Sequence, residues 1–525
     1  MLGVGAGKTC NYAQVCYTET NMSNHRRWIV LEKTLVILEV SRKQDYIFAS
    51  KQLRENARRS AIISYVTDSA FFECAAGDLY TKADNLVYTG GGHTVLQFDS
   101  PEQARRFAQR VTSKAMVDFD GLELFVKQMP YVPDRSPGDN LKKLSRVLER
   151  KKALRRASFQ TTTFGVEVRE AAEDRNDVDE SQSVHLVQAP VPYQFPREFQ
   201  ELAGEDNFIA VVHIDGNAMG KRVDRVYADA GNDWEACRAK LQRFSAAIQQ
   251  DFESAFSQTV EEVIRRKNIE SKMLPIRPVI LAGDDVCFVT AGSLGLECAR
   301  IFLEKLAALC NQEDGTPYAA CAGVALVHVK YPFHQAYRLS EELCSNAKVF
   351  GVKLDAAGRV CAMDWHIEFG QMKDNLSDIR QEYRTEDNKA LSLRPVAVIV
   401  PEDGAEQPAL RTYEFFRELC RSMKGEYGKT ARGKIKDLRT AFKQGEVESR
   451  FFFQDKEIQQ LLYHGFGAAY QGDARWEQYR KILLEGESID KEPFRALTIA
   501  GETDCYCLYF DAIEMIDHFE LLEEV

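Results

Sequence analysis

Hydrophobic and polar positions in the second half of the chain alternate between strand-like and helix-like runs in a fixed order. The apolar run FIAVVHIDG is followed by WEACRAKLQRFSAAIQQDFESAFSQTVEEVIRR, where apolar residues recur at three- and four-residue spacings. Two short apolar runs, PVILA and VCFVT, then flank a tight turn, and a helix, a strand and a further helix follow. This βαββαβα order predicts a ferredoxin-like palm domain over residues 205–370.

The front of the chain repeats this pattern in a weaker form. Residues 28–40 predict a strand, residues 45–75 a helix, residues 85–98 a hairpin and residues 101–117 another helix. We therefore predict an α+β chain with two ferredoxin-like palm domains, the first of them over residues 28–135.

The remaining segments differ from the palms in composition. Residues 1–27 predict a flexible tail, residues 136–204 a basic helix with an acidic linker, and residues 371–525 a mainly helical C-terminal domain. The basic runs LKKLSRVLERKKALRR and KGEYGKTARGKIKDLRTAFKQG are open to RNA or triphosphate contact, although a solvated helix face is the more usual explanation of such runs.

Two neighbouring acids, Asp284 and Asp285, occupy the tight turn of the second hairpin, and a third, Asp215, ends the strand before the long helix. Adjacent carboxylates repel each other and raise each other's pKa unless a cation compensates. Magnesium prefers hard oxygen ligands and keeps waters or substrate phosphates around it, so two or three carboxylates suffice. A lone Gly-Asp-Asp turn is usually a solvated hairpin tip. The order of elements here favours a nucleotidyl-transferring metal site instead.

These segments also carry a family resemblance. The stretches IDGNAMGK, LPIRPVILAGDDVCFV, CAGVALVHVKYPFHQAYRLSEELCSNAK and MDWHIEFG resemble the second palm domain of the large subunit of type III CRISPR effector complexes. That subunit is similar to GGDEF diguanylate cyclases in its palm and makes cyclic oligoadenylates from ATP. The resemblance implies catalytic and metal-binding roles for Asp215, Asp284 and Asp285, with the Gly216 carbonyl as a further ligand of Mg²⁺ or Mn²⁺.

The same resemblance implies a set of nucleotide-binding residues. Lys348 matches a lysine that faces the triphosphate, and Lys221 is a weaker candidate for the same task. Gly216, Gly283 and Asn217 lie in the two motifs and complete this set. Asn217 stands where the family has the second acid of its D-x-D motif. An amide carries no charge, so we expect weaker metal binding than in the family.

The first palm has fewer acids around its own turn. Its segment VSRKQDYIFASKQLRE also resembles the first palm of the CRISPR subunit, and its turn reads Gly90-Gly91-Gly92-His93, with Glu39 near the preceding strand end. One carboxylate cannot hold two magnesium ions. We interpret this copy as degenerate, with Gly91 and Gly92 leaving room for the close approach of a nucleotide.

Composition and charge narrow the function further. The 525 residues are 45% hydrophobic with a net charge of -11 and a pI of about 5.5, which argues against a surface coated for nonspecific nucleic-acid binding. No apolar run reaches the length of a membrane span, and the 13 cysteines include no C-x-x-C pair. We therefore expect a cytoplasmic protein that does not contact a membrane and lacks the zinc module usual in those CRISPR subunits.

Three functions remain open on the sequence. The first is a nucleotide or oligonucleotide cyclase acting on ATP or another NTP, and the second is a catalytically silent scaffold that binds nucleotide or RNA in a CRISPR-type complex. The third is a template-dependent polymerase. Such enzymes require a second acid five residues after the position of Asp215, and this chain has Gly220 there, which counts against the third function. The intact acids and Lys348 favour the first. Partner subunits, RNA and a homodimer are left open.

Overall fold

The computed structural model describes most of both palms and parts of the C-terminal region. The predicted tail at residues 1–27 and the acidic linker segment at residues 170–180 lie outside the described residues. The described residues are 33–154, 187–204, 206–269, 271–370, 375–408, 410–424, 433, 437–456, 493–499 and 501–523.

The first palm is built on a four-stranded antiparallel sheet in the order β2-β3-β1-β4. Every residue of the central strand β1 is buried except Glu39, because its sequence, TLVILEVS, is apolar on both faces. The strands are β1 (Thr34–Ser41), β2 (Leu86–Gly90), β3 (His93–Phe98) and β4 (Glu123–Pro130). The α-helices within residues 33–154 are α1 (Lys43–Ile47), α2 (Leu53–Val66), α3 (Ser69–Ala76), α4 (Lys82–Asn85), α5 (Pro101–Asp118) and α6 (Pro137–Ala153).

The single helix predicted over residues 45–75 is wrong, since the chain forms three helices there. Thr67 follows the last residue of α2, and its Oγ1 donates to the Ile63 carbonyl at 2.9 Å. Asp68 then begins α3 by accepting from the Ala70 nitrogen at 2.9 Å. Buried apolar residues occur on both sides of this break, so hydrophobic spacing alone does not show it.

The second palm has a six-stranded sheet in the order β10-β9-β8-β5-β7-β6. Its four strands β8-β5-β7-β6 repeat the strand order of the first palm, and β9 adds to β8 in parallel. The strands are β5 (Phe208–Gly216), β6 (Ile276–Ala282), β7 (Asp285–Ala291), β8 (Ala320–His328), β9 (Cys361–Glu368) and β10 (Val396–Ile399). The helices are α7 (Phe199–Leu202), α8 (Met219–Ala230), α9 (Trp234–Lys267), α10 (Gly295–Ala307) and α11 (Phe333–Leu354).

The C-terminal region combines helices with strands. Strand β10 pairs with β9, so the second sheet continues beyond residue 370. Its described part also contains helices α12 (Leu376–Gln381), α13 (Tyr413–Lys424), Glu446–Lys456 and Phe510–Met515, and the hairpin β11 (Phe494–Ile499) to β12 (Glu502–Cys507).

The two palms share their hydrophobic cores. Successive side chains of a strand point to opposite faces, and both faces of β1 are packed together with residues of the second palm. Leu35 belongs to one cluster with Ile214, and Leu38 belongs to another with Val211. This shared packing fixes the two sheets relative to each other. No helix in the described residues is long and apolar enough to cross a membrane.

Candidate active site

Three acids lie where the end of strand β5 pairs with the start of strand β7. Asp215 lies directly opposite Asp285 in the antiparallel register of these strands. The Gly216 nitrogen donates to the Asp284 carbonyl at 3.2 Å, which ties the acid turn to the end of β5. The structure therefore places the three acids that the sequence singles out at the same edge of the sheet.

Two glycines permit this close approach. A Cβ on Gly216 would lie 2.9 Å from the Asp284 Cβ and 2.8 Å from the Met219 Cε, so any side chain there would displace the acid turn. Gly283 has φ +68° at the first central position of the two-residue hairpin, as a type II′ turn requires. Its nitrogen donates to the Gln249 Oε1 of α9 at 2.7 Å, which anchors the turn.

The acids are held in an environment that disfavours their negative charge. Burial, and next the charge of Asp215, raise the pKa of Asp284 to about 6 and that of Asp285 to about 7. Asp285 Oδ1 is buried and accepts no hydrogen bond within the described residues. Raised carboxyl pKa values in a polar cluster are typical of functional sites, because the cost of charge is offset when a cation binds.

Lys348 supplies a positive charge to one side of this cluster. It lies on α11, and its Nζ donates to Asp215 Oδ2 at 2.5 Å and to the Gly216 carbonyl at 2.9 Å. Burial works to lower the pKa of Lys348, but the charge and the hydrogen bond of Asp215 raise it overall. The ammonium group therefore offsets part of the negative charge of the acid cluster.

The oxygen donors fit a divalent ion that keeps part of its water or phosphate shell. Asp215, Asp284, Asp285 and the Gly216 carbonyl offer hard ligands only. Among the residues that the structure describes, no group of three His, Cys, Asp or Glu side chains is arranged so that it could hold a metal ion by itself. Such a partial set suits Mg²⁺ or Mn²⁺ bound together with substrate phosphates rather than a structural ion.

Two residues predicted to bind nucleotide have contacts outside the acid cluster. Asn217 Nδ2 donates to the Val360 carbonyl at 2.9 Å, and this contact holds the side chain against the start of β9. Lys221 is exposed on α8, and its Nζ donates to the Ala356 carbonyl at 3.3 Å. Their roles toward a nucleotide stay predictions.

The first palm retains a counterpart of this site. Glu39 on β1 lies opposite His93, just as Asp215 lies opposite Asp285. The Nζ of Lys152 in α6 lies 3.0 Å from Glu39 Oε1. Lys152 follows the first residue of α6 by as many positions as Lys348 follows the first residue of α11. The acid–lysine pair therefore survives in both copies. This internal repeat is the sequence signal that could have found Lys152.

The turn of the first palm has lost its acids. Gly92 stands where the second palm has Asp284, and both Gly91 and Gly92 have positive φ, as a type I′ hairpin requires. Burial, together with two nearby lysines, lowers the pKa of His93 to about 4, so this side chain is neutral at physiological pH. The first palm offers space at its turn rather than negative charge.

The two turns meet at equivalent residues. A Cβ on Gly283 would lie 3.8 Å from the Gly91 nitrogen, and a Cβ on Gly91 would lie 3.9 Å from the Ala282 carbonyl oxygen. A cleft of about 540 Å³ opens beside this contact. Its lining includes Ser64, Thr67, Thr89, Gly90, Gly91, Gly92, Gln242, Ser245, Gln249 and Ala282.

Comparisons with known proteins agree with this architecture. Residues 208–354 match the family model of the Cas10/Cmr2 second palm domain. The crystal structure of Csm1 in T. onnurineus aligns with a TM-score of 0.53 and 14% identity, over 93% of this chain and 69% of that one. The Csm1-Csm4 cassettes in complex with cA4 and with cA3 give TM-scores of 0.52 and 0.51, also at 14% identity, with the same shares of both chains. A search of curated proteins finds no match.

The palm fold and the resemblance to the large subunit of type III CRISPR complexes are thereby confirmed. At this identity the structural likeness shows the fold, and the chemistry has to be argued from the residues of this chain.

Proposed function

We propose that the chain is a nucleotidyl cyclase or oligonucleotide cyclase that uses ATP, or another NTP, and a divalent metal to form a cyclic nucleotide product with release of pyrophosphate. The observation that carries this proposal is the acid cluster of Asp215, Asp284 and Asp285 in the second palm. This cluster lies beside the glycine turn of the first palm, which is poor in acids. One palm supplies carboxylates for a triphosphate donor, and the other supplies space for an acceptor.

The chemistry follows from this division. A ribose hydroxyl of one nucleotide attacks the α-phosphorus of another in line with the departing pyrophosphate, and the hydroxyl proton passes to solvent or to a nearby base. Bound metal would help ionise the attacking hydroxyl and neutralise the leaving group. The chain's own residues orient the reactants, because Asp284, Asp285 and Lys348 are held by strand register, hairpin geometry and ion pairing.

The direct test is incubation of the purified protein with each labelled NTP and Mg²⁺ or Mn²⁺, followed by chromatography and mass analysis. A cyclic product together with pyrophosphate supports the proposal, whereas linear oligonucleotides alone contradict ring closure. The neighbours described as Csm1-Csm4 cassettes support a further proposal, that this chain works with a partner subunit. The assay is therefore repeated with co-purified proteins and with RNA.

The second candidate is a catalytically silent subunit that binds nucleotide. The position of Asn217 favours it, since an uncharged amide that donates to a backbone carbonyl replaces an acid of the family motif. Tight metal-dependent binding of ATP with no product under any of these conditions would select this alternative.

Lys348 is expected to contribute to substrate affinity. Its flexible ammonium group is a point charge that suits phosphate, and it already lies at the acid cluster. We expect Lys348→Ala to raise the KM for the nucleotide more than about tenfold, a loss of roughly 1.4 kcal/mol or more. Lys330→Ala, at an exposed lysine, is the control. An unchanged KM would assign Lys348 a purely structural role.

Metal binding should strengthen as the pH rises. Because the pKa values of Asp284 and Asp285 are raised to about 6 and about 7, protons occupy most of these acids near pH 5.5 and must leave before a metal binds. We expect the Kd for Mn²⁺, measured by calorimetry without nucleotide, to fall at least about tenfold between about pH 5.5 and pH 8.

The stability of the metal-free protein should change in the opposite direction. Raised carboxyl pKa values favour the folded state while the acids are protonated, and this contribution is lost as the pH rises through about 7. The double variant Asp284→Asn with Asp285→Asn should remove both the pH dependence of the Kd for Mn²⁺ and this pH dependence of stability. A Kd for Mn²⁺ that is independent of pH would contradict the raised pKa values.

A further inference from the structure

Lys43 of the first palm reaches the boundary between the two palms. It is the first residue of α1, directly after β1, and its Nζ donates to the Gly91 carbonyl. The aliphatic part of its side chain packs against the same turn, since a Cβ on Gly92 would lie 3.0 Å from the Lys43 Cε. One lysine therefore supports the glycine turn that contacts the acid turn of the second palm.

The charge of Lys43 is shared between acids of both palms. Burial lowers the pKa of Lys43, whereas the negative charges of Glu39 and Asp285 act to raise it. Lys43 in turn acts to lower the pKa of Asp285, although burial and Asp215 raise that pKa overall. Lys152, in contrast, is held by Glu39 at 3.0 Å and by Glu149 at 2.7 Å. Lys43 is thus a first-palm cation whose field reaches the acid cluster.

The two sides of the acid cluster have different charge partners. Lys348, from the second palm, binds Asp215 directly. Asp285 Oδ1 accepts no hydrogen bond in the described part of the chain, and His213 Nδ1 lies 3.7 Å from it. Burial lowers the pKa of His213, so this ring carries no charge at physiological pH. Lys43 therefore brings a positive charge from the first palm to the contact between the two turns.

We propose that Lys43 is a positioning residue of the acid cluster, which clamps the glycine turn of the first palm in place and sets a positive charge at the contact between the two turns. This inference rests on the proposed function, and it adds that each palm contributes one lysine to the surroundings of the acids. A fixed cation repels a divalent ion at the same carboxylates. Lys43 therefore weakens metal binding in the nucleotide-free protein while it favours a productive arrangement of the turns.

The test compares Lys43→Met, which removes the charge, with Lys43→Arg, which keeps it. Manganese binding is measured by electron paramagnetic resonance near pH 8 without nucleotide, and turnover is measured separately with NTP. We expect Lys43→Met to bind Mn²⁺ about threefold tighter or more and to turn over at least about tenfold more slowly. Lys43→Arg should keep the Mn²⁺ affinity within about twofold and recover part of the turnover.

A merely structural lysine gives a different result, because loss of the clamp alone lowers turnover without tightening Mn²⁺ binding. Unchanged or weaker Mn²⁺ binding by Lys43→Met overturns the inference, and so does a wild-type turnover rate. Lys143→Met, at an exposed lysine of α6, is the matched control. Lys43→Gln replaces Lys43→Met if the latter does not fold. If the wild-type protein forms no product from any NTP, the proposed function fails, whereas the Mn²⁺ comparison still decides the electrostatic role.

Discussion

Replacing Asp284 and Asp285 together by alanine is expected to abolish product formation while leaving the protein folded. Both carboxylates lie at the hairpin turn between β6 and β7, outside the apolar clusters. Their removal takes away the ligands that would hold a metal against the triphosphate, so we expect turnover to fall by more than about 100-fold. The measurement is the rate of pyrophosphate release with saturating NTP.

The stability of this double variant provides an independent readout. Burial and repulsion by Asp215 raise the pKa values of both acids, so their negative charges oppose folding near pH 8. We therefore expect the metal-free Tm to stay constant or to rise, and the Tm increase caused by Mn²⁺ to disappear. Asp229→Ala, at an exposed acid of α8, should change neither quantity. Wild-type turnover by the double variant would exclude the metal site.

Much of the fold could be predicted from local patterns. The long helix predicted over residues 234–266 is observed as Trp234–Lys267, because its apolar face is regular and Asp233 caps its start. The two hairpins were also predictable, since glycines mark turns that require positive φ. Strand β10 and its pairing with β9 were not predicted, because a strand of four residues within a loop-rich segment has too little periodicity to be recognised.

The acids of the candidate site and Lys348 could be predicted from the sequence, whereas Lys43 could not. Asp215, Asp284 and Asp285 stand at strand ends and in a turn, where local pattern and chemistry coincide. Lys43 reaches the Gly91 carbonyl only through the three-dimensional arrangement of the first palm. Contacts between residues far apart in the chain leave no periodic signal, so a single sequence identifies ligands more readily than their partners.

The second large effect is expected at Gly91, in the palm that lacks the acids. Gly91 lies at the contact between the two turns and lines the cleft, and a side chain there would project toward the Ala282 carbonyl. A ring-closing enzyme must present the hydroxyl of one nucleotide to the α-phosphate of another, and misplacement by about 1 Å can cost 100-fold in rate. We expect Gly91→Leu to lower turnover about 100-fold.

Binding of a single nucleotide at the second palm should survive this change, because Asp215, Asp284 and Lys348 are untouched. Equilibrium binding of a non-hydrolysable ATP analogue with Mn²⁺ therefore separates loss of the acceptor position from loss of the donor site. Gly91 has φ +58°, so any side chain is also strained there, and Gly77→Leu is the matched control because Gly77 has φ +56° with open space around it. If Gly91→Leu cyclises as fast as Gly77→Leu, the acceptor does not use the first turn. The first palm then serves packing or partner binding. If two nucleotides met beside the turns, a side chain at Gly91 would have to disturb their positions.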